Sequence, residues 1–128
     1  MKAKIIIISI FALFIIGLCT YELTSLTGTV ADISSSSKKI IEMIEKNENK
    51  DTMIENLQKT YAKWTNKESE LCLIYNHKDF LEVGKEINQA ISYIEIDNNE
   101  EAYVHMQLLQ EDLRALENIV NFDVLNIF

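Results

Sequence analysis

Ile5-Ile-Ile-Ile-Ser-Ile-Phe-Ala-Leu-Phe-Ile-Ile-Gly-Leu-Cys19 is a run of fifteen residues with no charge and one hydroxyl, and its reading sets the architecture of the whole chain. As a helix the run spans about 22 Å, short of a hydrocarbon core of about 30 Å. Counting on through Thr20, Tyr21 and Leu23 brings the length near ~28 Å, with Glu22 reaching outward to head-group water and Tyr21 at the interface. Residues 1–23 are therefore expected to cross a membrane. Lys2 and Lys4 precede the run and hold the N-terminus on the cytoplasmic side, so the rest of the chain is expected outside. The competing expectation is a cleaved signal peptide, which would need a small-x-small site just after the apolar core. Gly17-Leu-Cys19 relies on a cysteine, Thr29-Val-Ala31 lies far beyond the core, and Leu18 stands where a lipoprotein site wants a small residue. An uncleaved anchor is the better reading, and export follows on either.

Outward from this segment, about a hundred residues remain, enough for one small domain. The chain is 48% hydrophobic, with no proline and three glycines (Gly17, Gly28, Gly84), which favours long helices over a turn-rich β fold. The expected class is all-α: an N-terminal signal-anchor helix followed by an antiparallel bundle of three to four helices. Its divisions are 1–23, the anchor; 24–50, a juxtamembrane helical segment; and 51–128, a helical hairpin bundle.

The net charge is −8, and from Thr24 onward 19 acids face 10 bases. From Glu95 to the end there are eight acids and one base, Arg114, a balance that repels nucleic-acid phosphates and anionic head groups. A nucleic-acid partner is not expected. Cys19 and Cys72 fall on different sides of the membrane boundary and do not pair; Cys72, between Leu71 and Leu73, reads as a small buried hydrophobe rather than a redox group.

Apolar positions recur at helical steps through the exported part. Leu26, Val30, Ile33, Ser37, Ile40 or Ile41 and Ile44 line one face, although Ser34 to Ser37 read as a solvated, frayed stretch where the helix either continues or restarts near Lys38. After the polar break Asn47 to Asp51, Thr52 and Glu55 form a capping-box pattern that starts a second helix. Its stripe is Ile54, Leu57, Tyr61, Trp64, Glu68, Leu71 and Tyr75, with Glu68 at the edge of the buried face. Asn76 to Asp79 repeats the cap logic, marking either a new helix at His77 or a bend. Phe80 or Leu81, Gly84, Ile87, Ile91 and Ile94 continue the period, and Gly84 suggests close approach by a neighbour. Asp97 to Glu101 ends that element and caps the last, whose stripe is Ala102, Met106, Leu109, Leu113, Leu116 and Val120. The apolar tail Phe122 to Phe128 is expected to dock on the bundle, burying Leu125 and Phe128.

Candidate chemistry is sparse. Any histidine-based site must use His77 or His105, and Glu101 with His105, four apart on one face, supplies two of the roughly four ligands a closed metal site needs. Phosphate-cradling glycine loops, CxxC, HExxH and GxSxG are all lacking. Tyr61, Trp64, Tyr75, Phe80, Tyr93 and Tyr103 sit at helical spacing among aliphatics and read as core rather than a stacking groove. No catalytic, cofactor-binding or metal residue is assigned.

The order of features, a short anchor, the lone Trp64, His77-Lys-Asp79, Tyr93-Ile94 leading through Asp97 to Glu101-Ala102, and a closing Asn126-Ile-Phe128, resembles the bacterial family called domain of unknown function 4363. The resemblance covers essentially the whole chain, and order rather than any single motif carries it. It implies a small membrane-anchored helical protein of Gram-positive bacteria and transfers no functional residue. The leading expectation is a non-enzymatic interaction or accessory protein for a membrane partner, contacting it through the acidic face or the apolar C-terminus. The alternative is a sensory or small-ligand-binding ectodomain with Glu68, His77 or His105 in a cavity; a hydrolase or metalloenzyme ranks third.

Overall fold

The computed structural model describes residues 1–71 and 77–127, with the side chains of 71, 77 and 122–127 outside the description. Among the described residues there are four α-helices and no strand: α1 Lys2–Glu45, α2 Lys50–Leu71, α3 His77–Glu95 and α4 Asn99–Ile127. Each helix packs on its neighbours in a ring, α1 on α2, α2 on α3, α3 on α4 and α4 back on α1, while among the described residues the backbones of the diagonal pairs stay more than 8 Å apart. This is the up-down-up-down arrangement of an antiparallel bundle.

The stripes read from the sequence are the faces that pack, except that α2 turns Met53 and Thr60 inward with Leu57 and Trp64 and leaves Ile54 and Tyr61 only partly buried. Leu26, Val30, Ile33, Ile40 and Ile44 of α1, Leu57 and Trp64 of α2, Phe80, Val83, Ile87, Ile91 and Ile94 of α3, and all six stripe residues of α4 are buried together. Burying each large side chain contributes roughly 1.5–3 kcal/mol, so the ring of four stripes is the main source of stability. Leu81 is exposed, so Phe80 takes the core position. Its ring stacks on Trp64 with centroids 5.4 Å apart, and the Trp64 Nε1–H donates to the Phe80 carbonyl at 2.9 Å. That contact requires the chain to reverse between α2 and α3, which excludes a continuous bent helix. Gly84 lies beneath the indole: a Cβ there would stand 3.6 Å from Trp64 Cδ1, an ordinary contact, so the close approach is real but leaves room for a methyl. Cys72, Tyr75 and Asn76 lie outside the described residues, as do the side chain of Leu125 and the whole of Phe128.

The two turns at the other end are built alike. Asn47 and Asp97 adopt left-handed φ values of 49° and 59°, which Asn and Asp tolerate better than other non-glycine residues. Asn47 N–H donates to Ile44 O and Glu48 N–H to Met43 O; Asp97 N–H donates to Ile94 O and Asn98 N–H to Tyr93 O. Both pairs are Schellman closures that satisfy carbonyls left open at a helix end. Lys50 ties the turns together, donating to the Glu95 carbonyl at 2.6 Å and pairing with Asp97 at 3.1 Å. The cap of α2 is Asn49, whose Oδ1 accepts from Asp51 and Thr52 N–H, and not the expected Thr52. Once the Schellman turn closes at Asn47, Asn49 is the residue placed ahead of the first free amides. Asn98 caps α4 through Glu101 N–H, as expected.

Two features of α1 sharpen the sequence reading. The helix is unbroken through Ser34 to Ser37; far from frayed, Ser37 is fully buried, and Ser34 exchanges hydrogen bonds with Gln110, Oγ to Oε1 at 3.3 Å and Nε2 to the Ser34 carbonyl at 3.1 Å. Small serines let α4 come close at that level. The boundary expected near residue 23 is a change of surroundings within one helix: Ile5 to Leu18 carry large apolar side chains 44–69% exposed, whereas Leu26 and Ile33 are wholly buried. With a mean hydropathy of 2.5 over an 18-residue window, this helix is long and apolar enough to cross a membrane.

Candidate functional site

The most polar part of the interior lies between α3 and α4. Glu86 falls on the flank of the α3 stripe, three residues after Val83 and four before Ala90, so its side chain is carried into the seam with only 8% exposed. A buried carboxylate must find donors. It finds His105, whose Nδ1 stands 2.5 Å from Glu86 Oε2 and is assigned as the protonated nitrogen by that contact. The His105 ring stacks on Tyr93 at 5.2 Å, which fixes its plane. A carboxylate orienting an imidazole is two-thirds of a nucleophilic triad. The pair links α3 to α4, and among the described residues no serine, cysteine or threonine is hydrogen-bonded to His105.

Further along the seam the charge is one-sided. Burial pushes the Asp112 carboxyl above its usual range, and the negative charges of Glu86, Glu82 and Glu111 push it further, only partly offset by Lys85. Asp79, Glu82 and Asp112 border a shallow hollow of about 80 Å³ whose remaining walls are Ala115, Leu116 and Ile119. Ile119 of that wall and, further along α4, Leu108 and Val104 are 40–47% exposed, and their spacing places them on one outward side of the helix. Carboxylates over an apolar floor suit a lysine or arginine side chain, whose stem packs while its head pairs.

The α1/α2 side is different. Residues 24–71 carry seven lysines against eight acids, whereas residues 77–128 carry three bases against eleven acids. An open groove of about 410 Å³ between α1 and α2 is lined by Lys39, Lys59 and Lys63 with Ser36, Asn56 and Asn66. Lys59 is paired with Glu55 at 2.6 Å, which holds that carboxyl below its usual range.

Among the described side chains, the residues singled out from sequence do not converge. Glu68, half-buried, lines a hollow with Tyr61, Thr65 and Leu81, on a helix diagonally opposite the one that carries His105. His77 begins α3, but its side chain is not described. Glu101 is exposed and His105 is committed to Glu86, and among the described residues no group of three or more His, Cys, Asp or Glu is placed to hold a metal. Among the described residues the aromatics behave as core: Trp64 and Phe80 are buried, and Tyr61, Tyr93 and Tyr103 are partly buried against the core cluster. Glu86 and the Asp112 hollow were missed, since nothing local in the sequence links residue 86 to 105 or 82 to 112. No family model, no curated protein and no solved structure matches the chain.

Proposed function

We propose that this is a membrane-anchored, non-enzymatic interaction protein, with its N-terminus cytoplasmic and its bundle outside, that binds a membrane-protein partner through the α3/α4 face. The observation that carries the reading is the Asp79, Glu82 and Asp112 hollow, with exposed Ile119 in its wall and Leu108 and Val104 further along α4. Apolar area supplies attraction and a surplus of carboxylates selects a basic segment. Burial, and after it the negative charges of Glu86, Glu82 and Glu111, disfavour the Asp112 carboxylate, and a cation docking there offsets the second of these. Lys2 and Lys4 support the orientation.

The test is a photoreactive residue at Leu108 in full-length protein in intact membranes, with a second at Gln58 on the exposed side of α2 as control. A discrete adduct with one membrane protein at 108, absent at 58 and abolished by Asp112→Lys, is expected. Equal labelling at both positions, or adducts indifferent to charge reversal, sinks the assignment of this face. The second reading, a ligand-binding ectodomain, is favoured by the Lys39, Lys59 and Lys63 groove, which would take an anionic ligand. Saturable binding of inorganic phosphate, lost in Lys63→Glu, would support it.

A further inference from the structure

We propose that the partner of the α3/α4 face is a second copy of this chain, whose α1/α2 lysine face meets the acidic hollow when two anchored bundles stand side by side. This rests on the face and the anchor assigned above.

Charge is divided within the one chain. Residues 24–71 hold seven lysines against eight acids, and residues 77–128 hold three bases against eleven acids. In the ring of helices the α1/α2 groove and the α3/α4 seam lie on opposite sides, so each bundle presents a lysine-lined edge and an acidic one. Lys63 is exposed, and among the described residues neither it nor Lys39 forms an ion pair. On the acidic edge Lys85 pairs with Glu82 at 3.2 Å, and the charges acting on Asp112 are three acids, Glu86, Glu82 and Glu111, to that one base. Each edge lacks the charge that the other carries in excess.

Height decides which groups can meet. Anchors in one membrane hold two copies parallel and at one depth, so contacts form only between groups at the same level of the bundle. The turns at the far end supply a common zero, because Lys50 donates to the Glu95 carbonyl and Asn99 to Asn47. From that end Lys63 is thirteen residues along α2, Glu82 thirteen along α3 and Asp112 thirteen along α4. At about 1.5 Å per residue all three stand ~20 Å below the turns. Asn66 in the groove, and Asp79 and Ala115 at the hollow, are each sixteen along, or ~24 Å below.

Size points the same way. The hollow, about 80 Å³, is far smaller than the roughly 300 Å³ at which small-molecule pockets begin. It suits the head of one side chain, a lysine ammonium with three donors among carboxylates and a stem resting on Ala115 and Ile119. The contact joins unlike edges, and because these edges are opposite it repeats from copy to copy instead of closing a two-fold dimer. Confinement to one membrane raises the effective concentration of copies, so a small interface suffices.

Cysteine cross-linking with a short bis-maleimide tests this in intact membranes of cells making two full chains, both with Cys19→Ser and Cys72→Ser. One chain carries Asn66→Cys and the other Ala115→Cys; circular dichroism of each purified chain checks its helix content. Together they are expected to give a covalent dimer several-fold above either chain alone, or above Gln58→Cys with Ala115→Cys. Lys63→Glu in both chains should remove the dimer, and adding Asp112→Lys should restore it, a rescue that mere loss of structure would not show. Equal dimer from Asn66→Cys alone, or dimer indifferent to these charge changes, overturns the proposal. Absence of dimer while Leu108 still captures a different membrane protein overturns the second copy and leaves the face assignment standing. Absence of any discrete adduct at Leu108 removes both.

Discussion

The first and second halves of α1 are one unbroken helix in two environments. From Ile5 to Leu18 large apolar side chains surround the axis and lie bare, while from Leu26 to Ile44 a single stripe is apolar and is covered by α2 and α4. A helix apolar all round needs an apolar solvent, and a striped helix needs only neighbours. The backbone gives no hint of the change. What the contrast teaches is that the domain boundary is a property of side-chain pattern, set within two turns around Glu22.

The largest effect should come from breaking the covered half. Trp64→Ala removes the side chain that spans α2 and α3 and its bond to the Phe80 carbonyl, and should cost about 3–5 kcal/mol in denaturant unfolding. Ile10→Ala, in the bare half, should leave that transition unmoved. The reverse follows for Ile10→Arg, which should oppose membrane insertion by about 2.5–3.5 kcal/mol while the bundle unfolds as before. Loss of bundle stability with Ile10→Arg would mean that the two halves are coupled.

Within the bundle, His105→Ala strands the buried Glu86 carboxylate and should destabilise by about 1–3 kcal/mol, whereas joint replacement of both by apolar residues should recover much of that loss. The smallest effect belongs to Asp112→Asn. Its carboxyl is raised in the folded chain, so it favours folding while protonated, and that contribution is lost as pH rises through the raised value. Asp112→Asn should therefore be more stable than the parent at neutral pH, with the advantage vanishing below the ordinary carboxylate range. An advantage that persists in acid would assign it to something other than charge.

The stripes were legible because each is local: Ala102 to Val120 recurs at helical steps, and all six residues are buried. Turn chemistry was half legible. Asn98 and the run around it announced a cap, but the cap of α2 was placed at Thr52, because the left-handed turn at Asn47 that sets Asn49 ahead of the first free amides is not written in the capping-box pattern. The serines misled because their partner, Gln110, lies 76 residues away. Glu86 with His105 and the Asp112 hollow are products of the α3/α4 register, which no window of sequence contains.

The central claim is that the bare half of α1 lies in lipid as a retained anchor. Carbonate extraction of membranes from cells making the full chain, with intact-mass measurement of the product, tests it most directly. The account predicts that the protein stays with the membrane pellet and keeps the residues from Lys2 through Leu23. Release into the carbonate supernatant, or a product beginning after the apolar run, would contradict it.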